Sequence, residues 1–233
     1  MFDVIAFDAD DTLWHNEPYY AKVESRFAEL LSPYARAKVV SQKLLETEEA
    51  NLPSYGYGIK SFTLSMIETA IELSQGEVSG IVVKEIISYA REMLAAQIHL
   101  VEGAEETVAQ LARSHRLMLI TKGDLLDQQS KLARSAIGHH FQHVEVVSDK
   151  REETYQGVLD RHGIAPERLV MVGNSLRSDI LPVLAIGGYA VHIPYPITWA
   201  HERAGKPSWS HARLQKLDSL ARLPALIETW RAR

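Results

Sequence analysis

From residue 104 to residue 193 the sequence alternates between helical patterns and short apolar runs. Apolar runs of this kind, separated by helices of roughly ten residues, are typical of βα units, in which right-handed crossovers build a parallel sheet. The predicted strands are Leu117–Ile120, Val144–Val147, Leu169–Val172 and Tyr189–Ile193, and the predicted helices are Ala104–Ser114, Leu125–Ser135, Glu152–His162 and Leu176–Ile186. Beyond Tyr195 the sequence predicts a loop and then a helix near Leu220–Trp230. This pattern predicts an α/β fold.

The first apolar run, Val4–Phe7, fits a fully buried strand of the same sheet. It is followed by a long stretch without a strand pattern, in which proline and glycine residues separate four helical patterns. These patterns cover Ala21–Leu31, Ala35–Glu49, Ser61–Leu73 and Ile81–Ala96. We therefore expect a Rossmann-like parallel sheet core, residues 1–16 and 98–233, with an inserted all-helical, four-helix cap domain, residues 17–97.

Composition excludes several classes of function. The net charge of −5 provides no basic surface, so we expect neither nucleic acid nor a membrane as a partner. The absence of cysteine excludes disulfides, thiolate metal sites and cysteine nucleophiles. No uncharged apolar run approaches the ~18 residues of a bilayer span, and the N-terminus lacks the pattern of a signal peptide. We expect a soluble, cytoplasmic protein, and the oligomeric state stays open.

Polar side chains follow each of the first four predicted strands. Because ligands of open parallel sheets bind at the carboxyl ends of the strands, we expect these side chains to meet at one edge. They are Asp8 and Asp10, then Thr121 and Lys122, which Gly123 follows, then Lys150, and finally Asn174 and Asp179. Gathered carboxylates repel one another and need a cation, and oxygen ligands without cysteine favour Mg²⁺ over zinc. A hydroxyl, a lysine and backbone N–H groups beside such a cation are what phosphoryl oxygens require.

In these residues the chain resembles the haloacid dehalogenase-like (HAD) hydrolase superfamily, in its phosphatase branch with a helical cap after the first strand. Asp8-Ala9-Asp10-Asp11-Thr12 matches the first motif, Asp-x-Asp-x-Thr. Thr121 matches the hydroxyl residue that ends a strand, and Lys150 matches the lysine that precedes a helix. Residues 173–179 match the acid-rich loop of the fourth motif. The four motifs occur in the order of the family and cover both ends of the predicted core.

The resemblance implies a Mg²⁺-dependent phosphomonoester hydrolase that acts on a small phosphorylated metabolite. Asp8 would be the nucleophile that forms an aspartyl-phosphate, and Asp10 would be the general acid and base. Thr121 and Lys150 complete the implied catalytic set. The implied substrate-binding residues are Asp8, Thr121, Lys122, Gly123 and Lys150, and the implied metal ligands are Asp8, Asp10 through its backbone carbonyl, Asn174 and Asp179. The helical cap would exclude water and contribute selectivity.

Two positions depart from the family pattern. Glycine is common where Asp11 stands, and we expect the acid there either to extend a hydrogen-bond network or to face solvent. Asn174 occupies a position that is commonly Asp, so one formal charge is lost, although an amide oxygen can still ligate Mg²⁺. Asp179 is then either a direct ligand or an acceptor for a metal-bound water.

Several alternatives stay open. Lys122 directly follows Thr121 and competes with Lys150 for the role of the phosphate-binding lysine. Carbon–halogen hydrolysis needs a nucleophilic Asp but neither a metal nor an acid at Asp10, so the acids at Asp10 and Asp179 favour phosphate. A phosphomutase differs only in whether water reaches the aspartyl-phosphate. A catalytically silent binding module on the same scaffold needs none of these side chains.

Three further residues lie near the predicted site in the sequence. Trp199 and His201 follow the last predicted strand of the alternating region and are candidates for the rim of the site, with packing the simpler role for Trp199. His15 follows the first motif closely and is a candidate for the cap entrance, with a plain loop residue the simpler interpretation.

Overall fold

The computed structural model describes residues 2–197, 199, 202 and 211–231. The chain divides into two compact units. The first, which we call the core unit, comprises Met1–His15, Ile98–Lys122 and Gln128–Arg233. The second, which we call the helical unit, comprises Asn16–Gln97 and Gly123–Asp127.

The core unit contains a six-stranded sheet in which every neighbouring pair of strands is parallel. Its strands are β1 (Val4–Phe7), β2 (Arg116–Lys122), β3 (His143–Val147), β4 (Leu169–Gly173), β5 (Tyr189–His192) and β6 (Leu214–Lys216). The spatial order is β3-β2-β1-β4-β5-β6, so β1 lies in the middle between β2 and β4. Phe7 pairs with Leu119 on one side and with Val172 on the other. The carboxyl ends of these three strands therefore lie side by side, as the sequence predicts.

Helices cover both faces of this sheet. They are α5 (Ala104–Ala112), α6 (Leu125–Arg134), α7 (Glu152–His162), α8 (Leu181–Ala185) and α9 (Leu223–Arg231). Because side chains alternate along a strand, Ile5 and Phe7 of β1 contribute to one apolar cluster and Val4 and Ala6 to another. The first cluster includes buried side chains of α5 and α9, and the second includes those of α7. Each fully buried large apolar side chain contributes about 1.5–3 kcal/mol, so both layers stabilise the sheet that carries the polar strand ends.

Two elements of the core unit differ from the prediction. The tail contains β6, which pairs in parallel with β5 at the edge of the sheet. Its three residues are too few to show a strand pattern, and only Leu214 is buried. The predicted helix from Leu176 begins instead as a π-helical turn, Leu176–Ile180, before α8.

Pro182 provides a physical reason for the wider turn. Proline has no N–H to donate to the carbonyl four residues earlier, which here belongs to Ser178. That carbonyl instead accepts a hydrogen bond from the hydroxyl of Tyr155 at 3.0 Å. The Leu181 N–H donates to the carbonyl of Leu176, five residues earlier, which is the π-helical bond.

The helical unit contains four helices, α1 (Glu17–Leu30), α2 (Ala37–Tyr55), α3 (Ile59–Leu73) and α4 (Gly80–Ala95). They share one apolar cluster, whose largest members include Phe27, Phe62, Met66 and Ile86. Residues 123–127 belong to this unit, and Lys60 Nζ of α3 lies 2.8 Å from Asp124 Oδ2. The predicted α/β core with an inserted four-helix unit is thus confirmed. Within the described part of the chain, every helix is too short or too polar to serve as a transmembrane span.

The pattern places the end of α2 too early, because the helix continues past Glu49 and through Pro53 to Tyr55. A proline inside a helix removes one backbone hydrogen bond, and here that bond lies in the last turns of a nineteen-residue helix. The helix ends where Gly56, with φ of 68°, donates its N–H to the carbonyl of Leu52 at 3.0 Å. A left-handed glycine at this position is a common helix stop.

Candidate active site

Asp8 begins the site at the carboxyl end of β1. Its N–H donates to the carbonyl of Val172 in β4 at 2.9 Å, which continues the strand pairing and holds the backbone in place. The carboxylate is almost fully buried, at 8% exposure. Its Oδ2 accepts a hydrogen bond from the Thr12 hydroxyl at 3.1 Å. A buried carboxylate is costly unless a charge and hydrogen bonds compensate it, so its other partner is decisive.

That partner is Lys150, which lies between β3 and α7. Its ammonium lies 2.5 Å from Asp8 Oδ1 and 2.7 Å from Asp179 Oδ1, and its side chain is 1% exposed. Burial acts to lower the pKa of Lys150, but Asp179 and Asp8 outweigh this effect and raise the pKa. For Asp8, burial raises the pKa above its ordinary range, against the opposing effect of Lys150. One ammonium thus bridges two buried carboxylates.

Asp179 lies in the π-helical turn after β4, and its carboxylate is held by a backbone N–H at the start of that turn. Its Oδ2 accepts from the Ser175 N–H at 3.0 Å, while Oδ1 accepts from Lys150. The carboxylate packs directly on Gly173, where an added Cβ would lie 2.3 Å from Asp179 Oδ2. The residue that ends β4 must therefore lack a side chain, which explains the glycine of the fourth motif in physical terms.

Asn174 joins the site through Thr12. The Thr12 hydroxyl lies 3.3 Å from Asn174 Oδ1 and 3.1 Å from Asp8 Oδ2, so the amide oxygen and the carboxylate oxygen lie close together. Asp8, Asn174 and Asp179 thus present oxygen atoms, which are the ligands that Mg²⁺ prefers. Among the described residues no group of three or more carboxylate or imidazole side chains could hold a metal ion by itself. A metal ion at this site would therefore also need the amide oxygen of Asn174.

The charges of this donor set fit a divalent cation. When both carboxylates are ionised they face a single ammonium, and the buried group then carries an excess of negative charge. Carboxylates arranged in this way favour a further cation, and the absence of cysteine leaves only hard ligands. The residues present therefore fit Mg²⁺.

Asp11 shows why glycine is common at its position. Its φ of 61° lies in the left-handed region, which glycine adopts freely and Asp adopts more readily than most residues. Its N–H donates to the Trp14 carbonyl at 2.7 Å, which closes the turn after β1. Only 5% of Asp11 is exposed, so of the two expected roles the one that faces solvent is wrong.

The carboxylate of Asp10 lies in a second hydrogen-bond network, formed with α6. Trp14 Nε1 donates to Oδ1 at 2.6 Å, and Gln128 Nε2 donates to Oδ2 at 2.8 Å. Lys131 Nζ lies 3.1 Å from Oδ1 and 3.3 Å from Oδ2. Gln128 and Lys131 are three residues apart on α6 and both are buried, so one face of this helix holds the acid. Sequence reasoning missed these partners, because buried polar residues within a helix carry no motif.

Thr121 and Lys122 end β2, next to Asp8 in the sheet. Thr121 is buried, and its hydroxyl makes a long contact of 3.4 Å to the Lys122 carbonyl. The ammonium of Lys122 lies 2.8 Å from Ser178 Oγ and 2.5 Å from Glu202 Oε1. Lys122 is therefore engaged with an acid, whereas Lys150 contacts Asp8, which favours Lys150 for the role that both lysines could fill. Gly123, with φ of 127°, belongs to the helical unit.

Glu202 is a functional candidate that the sequence does not reveal. Its carboxylate accepts from Lys122, from Ser175 Oγ at 2.5 Å and from Ser178 Oγ at 2.6 Å. Burial acts to raise the pKa of Glu202, but Lys122 and the two hydroxyls outweigh it and lower the pKa to about 2. Nothing in the local sequence distinguishes this glutamate from a surface acid.

The three further residues are placed as follows. His15 Nδ1 lies 2.6 Å from the hydroxyl of Tyr195, which follows β5. The Trp199 carbonyl accepts from the Glu202 N–H at 3.0 Å. His201 lies outside the described residues.

Comparison with known proteins supports the assignment of the fold and the family. A solved structure of a haloacid dehalogenase-like family hydrolase from Xanthomonas campestris is 38% identical and superposes with a TM-score of 0.89, covering 99% of this chain and 92% of that chain. N-acylneuraminate-9-phosphatase of Rattus norvegicus is 28% identical over 136 residues, which is 56% of this chain and 52% of that protein. Glyceraldehyde 3-phosphate phosphatase of Methanothermobacter thermautotrophicus is 35% identical over 95 residues, which is 38% of this chain and 42% of that protein.

The chain thus spans about half the length of the curated relatives that it matches. The sequence model of the haloacid dehalogenase-like hydrolases matches residues 2–187, which include the four motif regions and the inserted helical unit. The match therefore extends over most of the chain, and the structural similarity extends over nearly all of it. On this evidence the chain belongs to the haloacid dehalogenase-like hydrolases.

Proposed function

We propose that the protein is a phosphomonoester hydrolase that acts on a small phosphorylated metabolite through an aspartyl-phosphate at Asp8. The observation that carries this proposal is the buried ammonium of Lys150 between the carboxylates of Asp8 and Asp179. Such an arrangement keeps a nucleophilic carboxylate and a cation next to each other where water is excluded. The curated relatives with similar sequences are phosphatases, which supports phosphate as the group transferred.

The chemical steps follow from the residues present. A carboxylate oxygen of Asp8 attacks phosphorus, the bond to the ester oxygen breaks, and Asp10 in its protonated form gives its proton to the leaving oxygen. Water then attacks the same phosphorus and gives a proton to Asp10, while the bond between phosphorus and the Asp8 oxygen breaks. Phosphate leaves, and the carboxylate of Asp8 is restored. Lys150 and the Thr121 hydroxyl bind the phosphoryl oxygens in both steps. Asp10 has to leave some of its contacts with α6 when it transfers a proton to the substrate.

We propose Mg²⁺ as the cofactor, held by side-chain oxygens of Asp8, Asn174 and Asp179 and by the backbone carbonyl of Asp10. When bound, Mg²⁺ neutralises charge on the phosphoryl oxygens and orients the phosphoryl group. The oxygen-only donor set and its excess negative charge support this choice. We assign residues 17–97 the role of a cap that contributes substrate selectivity, and residues 1–16 and 98–233 the role of the catalytic core.

Phosphate release from a panel of phosphomonoesters tests the proposal. The panel includes glyceraldehyde 3-phosphate, N-acylneuraminate 9-phosphate and p-nitrophenyl phosphate, each assayed with Mg²⁺ and then with a chelator. We expect turnover that depends on Mg²⁺ and is lost in Asp8→Asn, and that persists in the control Asp218→Asn, which alters an exposed acid. Halide release from 2-chloropropionate without phosphate release would refute the proposal. Isomerisation of a sugar phosphate without release of phosphate would assign a mutase instead.

A further inference from the structure

The Lys122–Glu202 contact is part of a compact network beside the proposed metal ligands. Three donors converge on the carboxylate of Glu202, namely Lys122 Nζ at 2.5 Å, Ser175 Oγ at 2.5 Å and Ser178 Oγ at 2.6 Å. Lys122 also donates to Ser178 Oγ at 2.8 Å. Glu202 lies beyond residues 2–187, which the family match covers, so it is not a feature of the four motifs.

Both serines belong to the turn that carries the proposed ligands. Ser175 Oγ accepts from the Ser178 N–H at 3.0 Å, which closes the first turn after β4. The Ser175 N–H donates to Asp179 Oδ2 at 3.0 Å. Because Ser175 Oγ accepts this N–H and gives its own hydrogen to Glu202, the acid determines how the hydroxyl points. The position of the Asp179 carboxylate is thus only two hydrogen bonds away from Glu202.

The charge pair itself is largely removed from water. The side chains of Lys122 and Glu202 are 14% and 15% exposed. Loss of one partner from such a pair leaves the other charge poorly compensated, which is much more costly than the loss of an exposed pair. Removal of the Glu202 carboxylate therefore takes a shared acceptor away from two hydroxyls and an ammonium at the same time, and all three lie next to the π-helical turn.

We propose that Glu202 is a positioning residue for the turn Ser175–Asp179. It orders the two serine hydroxyls, holds Lys122 at the end of β2 and thereby keeps Asn174 and Asp179 in place. Its effect on catalysis rests on the proposed function, whereas its effect on the order of the turn does not. Glu202 itself is not proposed to contact substrate.

The direct test is amide hydrogen exchange of the metal-free protein. We expect the amides of residues 175–180 to exchange at least about tenfold faster in Glu202→Ala than in the wild type, while the amides of α7 stay unchanged. The matched control is Glu228→Ala, which removes the exposed pair with Arg231 and should leave the turn unchanged. Should Glu202→Ala not fold, Glu202→Gln, which keeps the volume, carries the same test. Equal exchange in the folded variant and the wild type would overturn the proposal.

Kinetics and metal binding separate this inference from the proposed function. Calorimetry of Mg²⁺ without substrate should show about fivefold weaker binding in Glu202→Ala, and kcat should fall more than KM rises. The fold-loss of kcat in the double variant Lys122→Met/Glu202→Gln should be smaller than the product of the two single fold-losses, because the two side chains act as a unit. Wild-type protein that neither binds Mg²⁺ nor releases phosphate would refute the proposed function, and the exchange measurement would still decide the role of Glu202. A double-variant loss equal to the product of the two single losses would overturn the proposal that Lys122 and Glu202 act as a pair.

Discussion

Gly173→Ala tests the packing of the site, because a single methyl group enters the space that Asp179 occupies. The added Cβ would lie 2.3 Å from Asp179 Oδ2, 2.4 Å from its Cγ and 2.6 Å from its Cβ. Ordinary contacts begin at 3.4 Å, so the Asp179 carboxylate has to move by about 1 Å. It cannot do so while it keeps both of its hydrogen bonds, to the Ser175 N–H at 3.0 Å and to Lys150 Nζ at 2.7 Å.

The magnitude follows from those two bonds. Hydrogen bonds to charged groups are each worth about 1.5–3 kcal/mol, so we expect the free energy of unfolding to fall by about 3–6 kcal/mol. A displacement of about 1 Å at a site of this kind costs about 100-fold in rate, so kcat for phosphate release should fall by at least that factor. Mg²⁺ affinity should fall as well, because Asp179 is a proposed ligand.

Urea unfolding, calorimetric Mg²⁺ titration and phosphate release measure the three effects. Gly157→Ala is the matched control, since Gly157 lies within α7 and an added Cβ there meets only Arg161 Nη1 at 3.8 Å. That variant should gain about 0.5–1 kcal/mol from the higher helix propensity of alanine and keep full activity. A Gly173→Ala protein with the stability and turnover of the wild type would refute the argument that Asp179 requires this glycine.

Three further substitutions probe other parts of the structure. Lys131→Met removes the ammonium that contacts both oxygens of Asp10, the proposed general acid. We expect kcat to fall about 10–100-fold for alkyl esters but less for p-nitrophenyl phosphate, whose leaving group needs no proton. Equal losses for both substrates would contradict a role of Lys131 in placing the acid. Thr12→Val removes the hydroxyl shared by Asp8 and Asn174, which should lower stability by about 1–3 kcal/mol in urea unfolding and weaken Mg²⁺ binding measured by calorimetry. Burial and the neighbouring acids raise the pKa of Glu48 in α2 from 4.5 to about 8, so its neutral carboxyl stabilises the folded state below pH 4.5 and this contribution is lost as the pH rises through 8. Glu48→Gln, which cannot ionise, should match the wild type near pH 4.5 and be about 3–5 kcal/mol more stable above pH 8. A parallel pH dependence of the two unfolding free energies would show that Glu48 titrates normally.

Much of the fold was predictable because its signals are local. Apolar runs and helical spacings place β1 at Val4–Phe7 and α7 at Glu152–His162 with the bounds that the structure has. The elements that the sequence did not predict depend on contacts with residues that are distant in the sequence. The edge strand β6 has three residues and exists because β5 offers a free edge. The π-helical turn, which Pro182 favours locally, also depends on the contact between Tyr155 and the Ser178 carbonyl. Neither partner is visible within a window of the sequence.

The residues of the candidate site likewise fall into those that the sequence predicts and those that it does not. Motif spacing alone brings together Asp8, Lys150 and Asp179, which the structure places within hydrogen-bond distance. The partners of Asp10 were not predictable, since Lys131 is 121 positions away along the chain and belongs to a helix without a motif. Glu202 escaped notice for the same reason, because its role depends on a fold that returns the tail to the ends of β2 and β4.

The hydrogen bond from Tyr155 to the Ser178 carbonyl has a consequence for how the site behaves when its charges change. Tyr155 lies in α7, the helix that follows Lys150, whereas Ser178 precedes Asp179, so this bond joins the two segments that carry the bridging lysine and its second carboxylate. Burial holds the pKa of Tyr155 well above its usual range, with Asp179 and Asp8 adding to the effect, so the phenol remains a donor at any pH the protein tolerates. The positions of Lys150 and Asp179 are therefore held by this hydrogen bond between uncharged groups as well as by the attraction between the ammonium and the carboxylate. A change of charge beside Lys150 and Asp179 therefore leaves this hydrogen bond, and with it the spacing of the two segments, in place.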